Sequence, residues 1–197
     1  VRECPGFLPA AADLAPGGRP RATVIGFDLL HAPTGEWVVL EDNLRVPSGL
    51  AYAVANRRTA AASLPALHPW PGLRSPETVG RDLLDALRQA RPPRCPRPTA
   101  HVAVLSDGPA NSAWYEHRLL AQLMGVPVVT PADLSGGATG IVVTTGPAAA
   151  DGPWPVDVLY RRLGDDELIA GEPVDAAADE LLVAAARAVT LAVANAP

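Results

Sequence analysis

Seven residues, PPRCPRP at 92–98, set the first limit on how this chain can fold. Four of them are prolines, which fix φ and lack a backbone donor, so neither a helix nor a central strand can run through the segment. It reads as a stiff connector between two folded stretches, 1–91 and 99–197. Prolines between Pro65 and Pro76 punctuate the first stretch again, and residues 1–20 read as an extended lead-in rich in Pro, Gly and Ala.

Between these breaks the apolar spacing is regular. ATVIGFDLL, the turn APTG and EWVVLEDNL predict a β-hairpin. VPSG then ends the strand, and LAYAVANRRTAAA has helical composition behind a candidate cap at Ser48. Val79, Leu83, Leu84 and Leu87 form a helical stripe in ETVGRDLLDALRQA. Past the connector, HVAVL, SAWYEHRLLAQLMG and VPVVT spell strand, helix and strand, a βαβ unit with parallel pairing. GIVVTT and VDVLYRR add two strands to this sheet, AADELLVAAARAV a helix and TLAVANA a last strand. The expected architecture is therefore α/β: a hairpin with helices, then a small open, Rossmann-like α/β sheet.

Charge and composition exclude several functions. The net charge is −5 with acids and bases interspersed, so no basic stripe invites nucleic acid or anionic lipid. No stretch approaches the ~20 apolar residues that cross a bilayer, and a cytoplasmic protein is expected. Cys4 and Cys95 lack paired ligand spacing, which argues against a zinc site. All 16 basic residues are arginine, a bias that a GC-rich genome also produces. Without lysine there is no P-loop.

The hairpin carries the best candidate chemistry. By strict alternation Trp37, Val39, Glu41 and Asn43 share one face. A turn centred on Pro33 and Thr34 sets Asp28 opposite Val39 and diagonal to Glu41, roughly 7–8 Å away. A bulge at Gly35 instead slips the register and turns Asp28 to the wrong face. Two carboxylates and an amide suit Mg2+, which takes a few such oxygens and keeps water and phosphate oxygens as its other ligands. Acidic and amide residues also gather at strand ends and turns for structural reasons alone.

Other candidates stand beside plainer readings. Arg45 could hold a phosphate or carboxylate through its guanidinium fork, or be an exposed strand-end arginine. Ser48 and Gly49 precede a helix whose free N–H groups favour anions, or form a simple cap. Asn111, Glu116 and His117 lie outside the carboxyl end of a strand, where open sheets bind ligands, or hold a turn and a helix start. Arg161 could face an acid substrate, or, like Arg162, pair with the acids Asp165 and Asp166 on the surface. Trp37, Trp114 and Tyr115 read as core. A hydrolase with His117 as base finds no nucleophile elbow.

Taken together, GFDLLHAPTGEWVVLEDNLRVPSGLAYAVANRR, LSDGPANSAWYEHRLLAQLMGVPVV, ADL, VDVLYRRLGDD and VANAP resemble, in this order, the circularly permuted ATP-grasp proteins, the glutathionylspermidine synthetase-like ligases. Asp28, Glu41 and Asn43 match that family's metal-binding Asp and Glu-x-Asn. The resemblance implies ATP and Mg2+ as cofactors, and a carboxylate joined to an amine through an acyl phosphate. It implies a metal-binding hairpin half of an ATP-grasp domain followed by a pre-ATP-grasp α/β domain. It also implies that the C-terminal half with the ATP-contacting lysine is missing, which leaves the fragment inactive by itself. His31 stands where the family usually has arginine, and the stretch after Asp166 lacks the usual Asp-Pro-Leu, leaving both substrates open. The alternative is a non-catalytic binding or scaffold module of the same ancestry.

Overall fold

The computed structural model describes residues 22–68, 71–163 and 176–194. The lead-in, Asp165 and Asp166, and the end of VANAP lie outside the described residues.

Strands β1 (Gly26–His31) and β2 (Trp37–Asn43) form the antiparallel hairpin that the turn signal predicts. Helix α1 (Leu50–Ser63) follows, and then α2 (Val79–Gln89), whose stripe buries Leu83 and Leu87. Next come β3 (Val102–Leu105), α3 (Trp114–Met124), β4 (Val128–Val129), β5 (Leu134–Gly137), β6 (Gly140–Val143), β7 (Trp154–Val156), β8 (Val158–Arg161), α4 (Ala176–Arg187) and β9 (Ala192–Ala194). Gly125, at φ +68°, ends α3 in the left-handed conformation that glycine adopts without strain.

The parallel sheet runs β4-β3-β8-β9. All four residues of β3 and all four of β8 are buried, as expected of parallel strands covered on both faces. Alternation divides them between two cores. Val102, Val104, Val158 and Tyr160 pack with Ala51, Leu83, Leu87, Leu120 and Met124 from α1, α2 and α3. Ala103, Leu105 and Leu159 pack with Leu182 and Ala185 of α4 and with Ile141 and Val156. The second group includes a correction: GIVV is not in the parallel sheet. It forms β6, the centre of an antiparallel meander β5-β6-β7. An apolar run of four residues suits either kind of strand, and periodicity cannot tell them apart.

The first core spans both sides of the 92–98 segment. Helix α2 also meets α3 at close range, since a Cβ placed on Gly80 would lie 2.4 Å from the Leu123 carbonyl oxygen. The proline segment is itself tied down, with Arg94 N donating to Val189 O at 3.3 Å and Arg97 Nη1 to Asp157 Oδ1 at 2.5 Å.

Candidate functional site

The hairpin turn has Gly35 at φ +88°, with Gly35 N donating to Ala32 O and Ala32 N to Glu36 O, both at 2.9 Å. This is the three-residue loop closed by a left-handed glycine. It shifts the register by one from that of a turn centred on Pro33 and Thr34, so Leu29, not Asp28, is opposite Val39. Continued unchanged, that register would set Asp28 against Leu40. A second irregularity between Asp28 and Leu29 leaves Leu40 without a cross-strand partner and brings Asp28 directly opposite Glu41. The two shifts together restore the carboxylates to one face. They also correct the face assignment: Trp37 and Val39 pair with His31 and Leu29, on the side away from Glu41 and Asn43.

Asn43 stands two pairs further along, opposite Gly26 and on the same face, and its Nδ2 donates to Asp28 Oδ1 at 3.4 Å. Asp28, Asn43, Arg45 and Ser48 line one open groove of about 800 Å³, with Gly26 and Pro47 also in its wall. Glu41 is not among the lining residues, although it faces Asp28 across the hairpin. Gly26 lets the strand meet the loop closely: a Cβ there would lie 3.0 Å from the Cβ of Pro47. Asp28, Glu41 and Asn43 are all exposed. Among the described residues no group of three or more His, Cys, Asp and Glu could hold a metal. The candidate set is instead two carboxylates and an amide, hard oxygen donors in an open site, which fits Mg2+ with much of its water retained.

The start of α1 departs from both readings of Ser48. Gly49 is the N-cap, at φ +125°, and no cap residue's own side chain closes the helix. Glu116 of α3 supplies the anion from across the fold: its Oε1 accepts from Gly49 N at 2.7 Å and from Ala51 N at 3.2 Å. The positive end of the helix is thus met by a carboxylate of the protein itself. Glu116 Oε2 accepts from Arg162 Nη2 at 3.0 Å, and Arg162 Nη1 donates to Pro47 O at 2.6 Å. Glu116 and Arg162 are 0% and 3% exposed, so neither belongs to a surface pair. Arg161 is fully buried as well, at the carboxyl end of β8.

Asn111 and His117 are placed apart from the groove's lining. Asn111 Oδ1 accepts from Ala113 N at 2.7 Å, a turn leading into α3. His117 is buried, with Nδ1 2.8 Å from Ser106 Oγ. Ser106 Oγ also accepts from Gly108 N at 3.1 Å. Burial, and then the Arg162 cation nearby, push the His117 pKa down to about 4, with Asp107 opposing. Trp37 and Tyr115, expected in the core, are 69% and 55% exposed; Tyr115 stacks on Tyr52 at 5.7 Å.

The pairing of Glu116 with Arg162 and of Ser106 with His117 has no local signature. The partners lie 46 and 11 positions apart, and no motif spacing connects them. Glu116, His117 and Arg162 each stand out in the sequence, but nothing there shows their partners.

No helix among the described residues is long and apolar enough to cross a membrane. The family model for circularly permuted ATP-grasp type 2 matches residues 1–197. A Frankia alni protein with the provisional name glutamate–cysteine ligase 2-3 is 48% identical over 179 residues, covering 90% of this chain and 20% of its own. A Frankia casuarinae protein with the corresponding provisional name, 2-2, is 43% identical over 83% of this chain and 20% of its own. An uncharacterised Mycobacterium tuberculosis protein is 38% identical over 92% of this chain and 31% of its own. The chain thus spans about a fifth to a third of the length of these relatives.

Proposed function

From the premise that this chain belongs to the circularly permuted ATP-grasp type 2 family, we propose that residues 1–197 supply the metal-holding edge of an ATP-dependent carboxylate–amine ligase. The observation that carries the reading is the groove in which Asp28, Asn43, Arg45 and Ser48 lie together, with Glu41 across from Asp28. Asp28, Glu41 and Asn43 hold Mg2+, with Asn43 presenting its amide oxygen. The ion, when bound, neutralises phosphate charge during transfer. Arg45, two residues past Asn43, offers a guanidinium fork to a phosphate or a substrate carboxylate. Ser48, in the same lining, adds a hydroxyl.

The reaction is transfer of the γ-phosphoryl group of ATP to a carboxylate oxygen, giving ADP and an acyl phosphate. Attack by an amine on the carbonyl carbon then expels phosphate and leaves an amide. The chain contributes position and electrostatics. Having no lysine, it leaves the ammonium contacts to ATP phosphates to other sequence of the longer protein, and it is inactive by itself. The provisional names of the Frankia relatives make glutamate and cysteine the first acid and amine to try.

The test is hydroxylamine trapping in the full-length protein with Mg2+, ATP and glutamate. A hydroxamate that forms with ATP and disappears in Asp28→Ala supports the proposal. ADP release without any acid dependence, or equal hydroxamate from the variant, contradicts it.

A further inference from the structure

Glu116 and Arg162 form an ion pair almost wholly out of solvent, and four of its hydrogen bonds have a common purpose. Glu116 Oε1 takes the N–H groups of Gly49 and Ala51; Glu116 Oε2 takes Arg162 Nη2; Arg162 Nη1 takes the carbonyl of Pro47. Three of those four bonds end on the backbone of one short segment, 47–51. That segment brings Ser48 and Pro47 into the groove's lining together with Asp28 and Asn43. Gly49, at φ +125°, lets the chain turn into the helix, and no local side chain caps it, so the first free N–H groups are closed by Glu116.

Taking both charges out of water is costly, and a well-packed apolar pair of similar volume is often as stable or more so. Stability alone therefore gives a poor reason for ions here. A charged pair differs from an apolar one in fixing direction: it specifies where two N–H groups and one carbonyl must point. Tyr160, buried beside the pair with its hydroxyl 3.4 Å from Arg162 Nη1, restricts the guanidinium further.

We infer that Glu116 and Arg162 are positioning residues of the metal–nucleotide groove: from the parallel-sheet core they hold segment 47–51, and with it Pro47 and Ser48, in the lining shared with Asp28, Asn43 and Arg45. The inference rests on the proposed function of that groove. Neither residue touches the ligand; both act through backbone atoms of the wall.

The test uses the full-length protein and Mn2+ with ATP as the probe, followed by titration calorimetry and by Mn2+ electron spin resonance. The variants are Glu116→Leu/Arg162→Met together, the milder Arg162→Lys, and Asp28→Ala. Amide exchange at Gly49 and Ala51 reports whether the segment is still held. The double variant is expected to stay folded, to lose protection at both amides, and to bind Mn2+·ATP at least tenfold more weakly. Arg162→Lys, which cannot reach Pro47 O and Glu116 Oε2 together, is expected to weaken binding with little change in melting temperature. Unchanged affinity in a variant whose two amides have lost protection overturns the inference. So does weakened binding that only follows the unfolded fraction. Wild type that binds Mn2+·ATP equally well as Asp28→Ala overturns the groove's metal assignment instead, and wild type that binds none overturns both.

Discussion

His117 is 1% exposed, with Ser106 on its Nδ1, and burial together with the Arg162 cation holds it neutral. Its pKa falls from 6.5 to about 4 on folding. As pH drops below ~6.5 the unfolded chain takes the proton first, so stability declines until the folded protein also protonates near 4. The whole window is worth up to about 3 kcal/mol, and about 2 kcal/mol of it is lost between pH 7 and pH 5. Urea unfolding at those two pH values should show this loss in the parent and a flatter profile in His117→Gln. Equal pH dependence in both would show that His117 is not the group responsible. Ser106 and His117 do not form an exposed catalytic pair, since they are 0% and 1% exposed. At this scale the sequence made Asp28, Glu41, Asn43, Arg45 and Ser48 legible, because each lies on or next to a hairpin whose periodicity is plain. It did not show what Glu116 and Arg162 do. Buried ion pairs between distant segments have no local spacing.

Among the elements, the hairpin shows how far alternation can be trusted. The antiparallel pairing of β1 and β2 followed from the apolar runs around APTG, although β1 begins only at Gly26, past the β-branched Thr23, Val24 and Ile25, and register depended on Gly35 and on the irregularity at Leu40, one residue each. A single extra residue exchanges the faces of everything beyond it. The two shifts offset each other for Asp28 and Glu41 but not for Trp37 and Val39. The meander was missed for a related reason: β5, LSGG, has glycines where a strand signal needs side chains. Packing of α2 on α3 gives the sharpest element-scale prediction. Gly80→Ala would push a methyl group into the Leu123 backbone, which cannot move aside without shifting α3. Overpacking of this kind costs about 1–3 kcal/mol, despite alanine's better helix propensity. Denaturant midpoints should fall accordingly; a neutral or stabilising effect would mean that the two helices are not in such close contact.

For the molecule as a whole, the parallel sheet with its βαβ unit was readable from fully apolar runs alternating with helical stripes, and the proline segment was readable as a break. What proline content could not reveal is that α1 and α2 pack in the same core as β3 and β8, because long-range packing leaves no mark on local composition. The hairpin is the exception to this compactness. Phe27, Leu29, Trp37, Val39 and Leu40 are each more than half exposed, and among the described residues no further strand pairs with either edge of the two-stranded sheet. Exposed apolar strands of this sort pair with other chains. The 197-residue chain should therefore self-associate as concentration rises, and Val39→Thr/Leu40→Thr should reduce this without lowering the melting temperature by more than a degree or two. Light scattering against concentration checks it; a monodisperse parent chain, or a large loss of stability in the variant, would contradict the exposed hairpin.

The central claim is that Asp28, brought opposite Glu41 by the offset register, helps to hold the metal that ATP needs. Titration of Mg2+ and ATP into the full-length protein, beside Asp28→Ala, tests it most directly. The account predicts that the full-length protein binds Mg2+·ATP and that the substitution weakens this at least tenfold while leaving the fold intact. Equal binding by both proteins would contradict it.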